Sequence, residues 1–240
     1  MKHLEQKAHR WAKILGNLPG VRAIFLSGSV AAGTAKKNAD IDFLVIAKSG
    51  QLWTARFFIF FVLKIFSQLA KPHRHARKIC PNHFIADHAL EINEKDAYAA
   101  HLFAHNKPLY DPKGVWKFFV AENEKWVQTF GEDFGRSALH PPGKNPWKRA
   151  NPQSVTKNML ETLLEKTQRW KIEKNPDFKK PGAKIVLNDD ELRFHPEPKN
   201  KTWKKPAGVF GENRSVFSNF QMKSGMTALQ RPFSKAFRHL

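Results

Sequence analysis

Cysteine, acidic residues and long apolar runs are all scarce in this chain. Cys80 is the sole cysteine among 240 residues, which excludes an intramolecular disulfide framework. Only 21 Asp and Glu stand against 41 Lys and Arg, a formal net charge of +20. That surplus favours polyanionic partners such as RNA, DNA or an anionic membrane surface, without choosing among them. The longest apolar stretch, residues 53–66, is interrupted by Arg56 and Lys64. A membrane span needs roughly 20 predominantly apolar residues, so this segment reads as a helix buried on several faces and no integral membrane segment is expected. The N-terminal MKHLEQKAHRWAKIL lacks the apolar run and small-residue cleavage site of a secretory signal, and a cytoplasmic location is the expectation.

What is present suffices for a sizeable core, since 41% of residues are apolar. Residues 2–15 place Leu4, Ala8, Trp11 and Leu15 at helical spacing. Asn17, Pro19 and Gly20 break that helix, and VRAIFL at 21–26 reads as a buried strand. A turn and a short helix over 31–36 are expected next, then a strand over 41–47 and the apolar helix over 52–70. A third strand is predicted over 79–85, where Pro81 signals an edge position or a bulge. Helical patterns follow over 95–105 and 114–130, with Leu109-Tyr110-Asp111-Pro112 as the turn between them. Residues 140–146 have linker composition, and Ser154 is expected to cap a helix over 154–172. In that helix Val155, Met159, Leu163 and Lys166 lie near one face, with Leu160, Leu164 and Thr167 beside them. The expected organisation is a domain over 1–130, a linker and helical extension over 131–195, and a basic, mobile tail over 196–240.

The segment that carries chemistry runs from Leu26 to Ile46. Strand side chains alternate, so Asp40 and Asp42 face one way and Ile41 the other. Two converging carboxylates suit Mg²⁺, which takes carboxylate, phosphate and water oxygens. Ahead of them, Gly28 lets backbone approach a ligand closely, and Ser29 offers a hydroxyl and an N–H near the start of a helix, where phosphate is favoured.

Gly28-Ser29, Gly33 and Asp40-Ile41-Asp42 followed by an apolar strand resemble the signature of the DNA polymerase beta-like nucleotidyltransferase superfamily. Ile79-Cys80-Pro81-Asn82-His83-Phe84 and Lys107-Pro108-Leu109-Tyr110 are similar to an uncharacterised group of bacterial and archaeal nucleotidyltransferase-domain proteins. The resemblance implies an α/β (α+β) nucleotidyltransferase fold, a mixed sheet flanked by helices. It also implies attack of an acceptor hydroxyl on the α-phosphate of a nucleoside triphosphate, assisted by Mg²⁺. In that scheme Asp40 and Asp42 are metal-binding catalytic residues, Gly28 and Ser29 bind the nucleotide, and a carboxylate on a neighbouring strand completes the site. The central position of the third strand is Asn82, which cannot act as a base, so the expectation passes to Asp87, or to Glu91.

Other groups have ordinary explanations. His73, His75 and His83 with Cys80 have the composition of a metal site, but Lys71, Arg74, Arg77 and Lys78 would repel a cation, and the segment reads as a solvated basic loop. Arg56 and Arg74 are candidates for triphosphate contact, against simple surface charge. Phe194-His195-Pro196 reads as a partly packed loop. Two functions follow: a nucleotidyltransferase using a nucleoside triphosphate and an unknown hydroxyl acceptor, or an impaired domain of that kind acting as a nucleic-acid-binding or regulatory module. The tail favours RNA or DNA in either case, because Trp203, Phe233 and Phe237 are interleaved with Lys and Arg.

Overall fold

The computed structural model describes residues 2–70, 75–135, 143–148, 156–176 and 184–195. The basic tail, Ser154, His73 and Arg74 lie outside the described residues. Among the described residues six strands form one mixed sheet in the order β4-β1-β2-β3-β6-β5. These are β1 (Val21–Ser27), β2 (Ile41–Ala47), β3 (Ile79–Ala86), β4 (Lys107–Tyr110), β5 (Lys184–Leu187) and β6 (Glu191–His195). Among these six strands β2 and β3 run parallel and the other neighbouring strands antiparallel. Such a pair needs a crossover, supplied here by α3 (Leu52–Ile65).

Strand alternation divides the core into two. Ile24, Leu26, Ile41, Phe43 and Val45 pack on one face with α1 (Lys2–Gly16), α3 and α6 (Met159–Glu173). Phe25, Leu44, Ile46 and Ile85 pack on the other with α4 (Ala97–Ala104) and α5 (Val115–Thr129). Asp42 lies between Ile41 and Phe43 in sequence, so the period of two sends it to the α4 and α5 side. In α1 the buried stripe is Leu4, Ala8, Ala12 and Leu15. Trp11 lies beside this stripe, edge-on to Phe66.

Several boundaries differ from the sequence pattern for identifiable reasons. The short helix expected over 31–36 is α2 (Gly28–Ala31), beginning directly at the end of β1 because Gly28 takes φ +68°. The helix expected to reach residue 70 ends at Ile65, and Ser67 adopts φ +51°. The turn expected at 109–112 starts later, because Lys107–Tyr110 pairs with β1 as an edge strand. Asp111 then accepts the N–H groups of Val115 and Trp116 and so starts α5. Pro81 marks a bulge and not an edge: Phe43 pairs with Pro81 and Leu44 with His83, so Asn82 is the extra residue. On the other side, β6 pairs only with His83, Phe84 and Ile85, so the absent N–H of Pro81 leaves no ladder bond broken there.

The C-terminal elements depart furthest. Asn158, not Ser154, caps α6, accepting the Glu161 N–H at 2.7 Å. The face carrying Met159 and Leu163 points outward, with Met159, Leu160 and Leu163 exposed, while Glu161, Leu164, Gln168 and Ile172 are buried. Polar partners explain this orientation. The Glu161 carboxylate accepts from the N–H groups of Trp53 and Thr54 at 2.8 Å and from Thr54 Oγ1 at 2.6 Å. It thereby satisfies the free amides at the start of α3. Phe194 and His195, read as part of a loop, belong to β6, which joins β5 to the sheet beside β3. Among the described residues no helix is long and apolar enough to cross a membrane.

Candidate active site

The ends of β1, β2 and β3 meet α4 around a cleft of about 190 Å³. Its floor comes from Ser27, Gly28 and Ser29 at the β1–α2 junction, from Asp40 and Asp42, and from Asn82 and His83. Tyr98, His101 and Leu102 of α4 form the opposite wall. The structure thus brings Asp40, Asp42, Gly28 and Ser29 together.

Local geometry fixes each part. Asp42 sits opposite Ser27 of β1 and opposite Cys80 of β3. A side chain at Gly28 would collide with the Asp42 carboxylate, and the positive φ there disfavours other residues in any case, so glycine is required on two counts. Ligand-capable atoms of Asp40, Asp42 and Cys80 all lie within 4.8 Å of one another. Across the bulge, Asn82 donates from Nδ2 to Asp42 Oδ1 at 3.0 Å. The residue that stands where a further carboxylate was sought therefore orients the existing one.

Asp87 is not part of this site, contrary to expectation. It follows β3 at the far end, where Ala47 pairs with Ala86, five positions along β2 from Asp42. At about 3.3 Å per residue this is roughly 16 Å away. Its carboxylate is 1% exposed and saturated by Arg22 Nε at 2.8 Å, Ser49 N at 3.0 Å and Ser49 Oγ at 2.6 Å. Glu91 also lies beyond β3, where it pairs with Lys95 at 2.6 Å.

Arg56 is likewise removed from any triphosphate. It is 2% exposed, donates to Gln168 Oε1 at 2.5 Å, and lies 4.4 Å and 4.9 Å from the ring centres of Phe60 and Phe194. Burial lowers its pKa to about 9. Of the described members of the histidine and cysteine grouping, His83 places Nε2 2.9 Å from Glu191 Oε1 and Cys80 lies beside the aspartate pair. Burial by itself would raise the Glu191 carboxyl, but hydrogen bonds from His83 and Asn93 and the charges of His83 and Arg193 together hold it below the usual range.

Sequence reasoning missed His101 and Tyr98 on the cleft wall. The helical pattern over 95–105 gave their element but not the face that meets the strand ends. Glu132 and Glu191, which contact His101 and His83, come from positions 31 and 108 residues away and left no local signal.

The family model described as a nucleotidyltransferase domain matches residues 9–79. Among curated proteins no relative matches the sequence. Among solved structures, one described as "Crystal structure of the toxin-antitoxin with AMP-PNP" is 16% identical, with a TM-score of 0.32, and the match covers 51% of this chain and 86% of that chain. The segment matched by the family model includes the glycine–serine turn and both cleft aspartates, so the likeness to a nucleotidyltransferase domain lies in residues 9–79.

Proposed function

We propose that the protein transfers a nucleoside monophosphate from a nucleoside triphosphate to a hydroxyl acceptor, with Asp40 and Asp42 holding Mg²⁺. The observation that carries this reading is the convergence of both carboxylates with the Gly28-Ser29 turn in one cleft. The donor set fits a hard cation: two carboxylates leave further positions for phosphate oxygens and water, while the softer Cys80 thiol is a poor magnesium ligand. When bound, the metal would offset charge on the attacking and leaving oxygens of an in-line displacement at the α-phosphate. Gly28 lets the β1–α2 turn lie against Asp42, so that phosphates held at Ser29 sit beside the metal ligands. Asn82 fixes the Asp42 carboxylate through its amide. The cytoplasm, where nucleoside triphosphates are abundant, is the location this reading favours.

The experiment is release of pyrophosphate from ATP, GTP, CTP or UTP by purified full-length protein with Mg²⁺ and pooled RNA or small-molecule hydroxyl acceptors. Release that is abolished in Asp42→Asn supports the reading. Absence of turnover, with Mg²⁺-dependent triphosphate binding retained, favours the second reading: a binding or regulatory module in which the bond from Asn82 to Asp42 occupies a position a catalytic carboxylate would need. Binding of RNA or DNA through residues 196–240 is a proposal resting on charge and aromatic content alone.

A further inference from the structure

We propose that His101, His105 and Glu132 form a binding site for a zinc-class divalent ion, with its fourth coordination position open to the adjoining cleft. The proposal does not depend on the nucleotidyltransferase reading: His101 also lines the Asp40 and Asp42 cleft, but neither aspartate is among the proposed ligands.

His101 on α4 and His105 at its C-terminal cap are one helical turn apart, with ring centres 4.3 Å apart. Glu132 reaches them from the segment after α5, where Gly131 takes φ +70°. One ligand-capable atom from each of the three residues lies within 4.8 Å of the other two. His101 Nδ1 and Glu132 Oε1 are 3.2 Å apart. Zinc bonds of about 2.0–2.1 Å in tetrahedral directions place neighbouring ligand atoms about 3.3 Å apart, so this separation matches one edge of the polyhedron.

The tautomer of His105 is also set. Its Nδ1 lies 2.8 Å from the carbonyl oxygen of His101, which can only accept, so Nδ1 carries the proton and the Nε2 lone pair is available to a metal. A ligating histidine commonly shows this arrangement, its second ring nitrogen bound to a backbone carbonyl. Glu132 is 4% exposed and His101 8%, so two of the three ligands are enclosed by protein.

A separate observation points to a ligand. Asn106 is 4% exposed, and neither polar atom of its amide has a hydrogen-bond partner among the described residues. It lines, with His105 and Glu132, a cleft of about 390 Å³. Water or an exchangeable group on the fourth coordination position would meet that amide. Two imidazoles and one carboxylate suit zinc better than magnesium or calcium, which prefer all-oxygen sites. Bound there, the ion would tie α4, the wall of the Asp40 and Asp42 cleft, to the segment following α5.

The test uses the full-length Asp40→Asn/Asp42→Asn protein, so that the aspartate pair does not contribute. After chelator treatment it is titrated with Zn²⁺ in competition with a chromophoric chelator, and in parallel with Co²⁺ followed by its visible absorption. One tight Zn²⁺ per chain is expected, together with the intense bands of four-coordinate Co²⁺. His105→Ala and Glu132→Gln are each expected to weaken Zn²⁺ binding by about 100-fold or more, since even outer-shell changes cost about 10–100-fold. His105 is half-buried and Glu132→Gln preserves shape, and circular dichroism checks that both fold. Absence of tight Zn²⁺ binding in the parent, or equal affinity in parent and folded variants, would overturn the proposal and leave a hydrogen-bonded histidine–glutamate pair.

Discussion

The two ends of the β2–β3 pair carry aspartates of opposite character. At one end Asp87 is enclosed by Arg22 and Ser49, and all its hydrogen-bonding capacity is directed into the protein. At the other, Asp40 and Asp42 are only partly buried and open onto a cleft. An aspartate becomes available to a ligand where the fold leaves its oxygens accessible, and becomes structural where the fold surrounds it with donors.

The largest effect that tests this contrast is expected from Asp42→Asn. Removing a charge that serves the transition state should lower turnover by roughly 10²–10³-fold or more, while the melting temperature stays close to that of the parent. Steady-state pyrophosphate release and calorimetry measure the two quantities. Unchanged turnover with a lowered melting temperature would reverse the roles assigned to the two ends. Asp87→Ala should do the opposite, costing about 3 kcal/mol of stability by leaving Arg22 unpaired at a part-buried site, with turnover per folded molecule retained. Urea unfolding reads that loss.

A smaller effect separates the ends by pH. Glu191, beside the cleft residue His83, has its carboxyl pKa lowered in the folded state, so its ionised form contributes stability above its ordinary value near 4.5. That contribution is lost as pH falls through the lowered native value. The stability difference between parent and Glu191→Gln should therefore be largest above about pH 5 and shrink on acidification below the ordinary pKa. Melting temperatures across that range check it. The smallest effect is expected from Asn82→Asp, which exchanges the amide donor for a second carboxylate beside Asp42. Metal is expected to bind several-fold more tightly, and protein without metal to be slightly less stable through like-charge repulsion. Isothermal titration with Mn²⁺ measures the first, and weaker binding would show that Asn82 is needed as the donor.

Much of the fold around the site was readable locally. The strand over 41–47, the strand over 21–26 and the same-side placement of Asp40 and Asp42 follow from alternation and from residues next to one another in sequence. Glycine at position 28 was legible as a close approach, although its partner proved to be the Asp42 side chain as well as any ligand. Asp87 was misassigned because a carboxylate shortly after a strand looks the same whichever end of the sheet it occupies. Register alone decided that question.

The sequence by itself determined the order of elements through β3, the glycine–serine turn, the paired aspartates and the strongly basic composition, because these depend on short-range periodicity and residue type. Tertiary structure decided which charges are satisfied and by whom. Asp87 finds Arg22 across 65 residues, Glu161 caps α3 across 107, and Glu191 meets His83 across 108. It also left Met159, Leu160 and Leu163 of α6 facing outward, since unsatisfied amides at the start of α3 and the buried Arg56 drew Glu161 and Gln168 inward. Desolvating a polar group without a partner costs more than exposing a leucine, and that balance is settled only when distant segments meet.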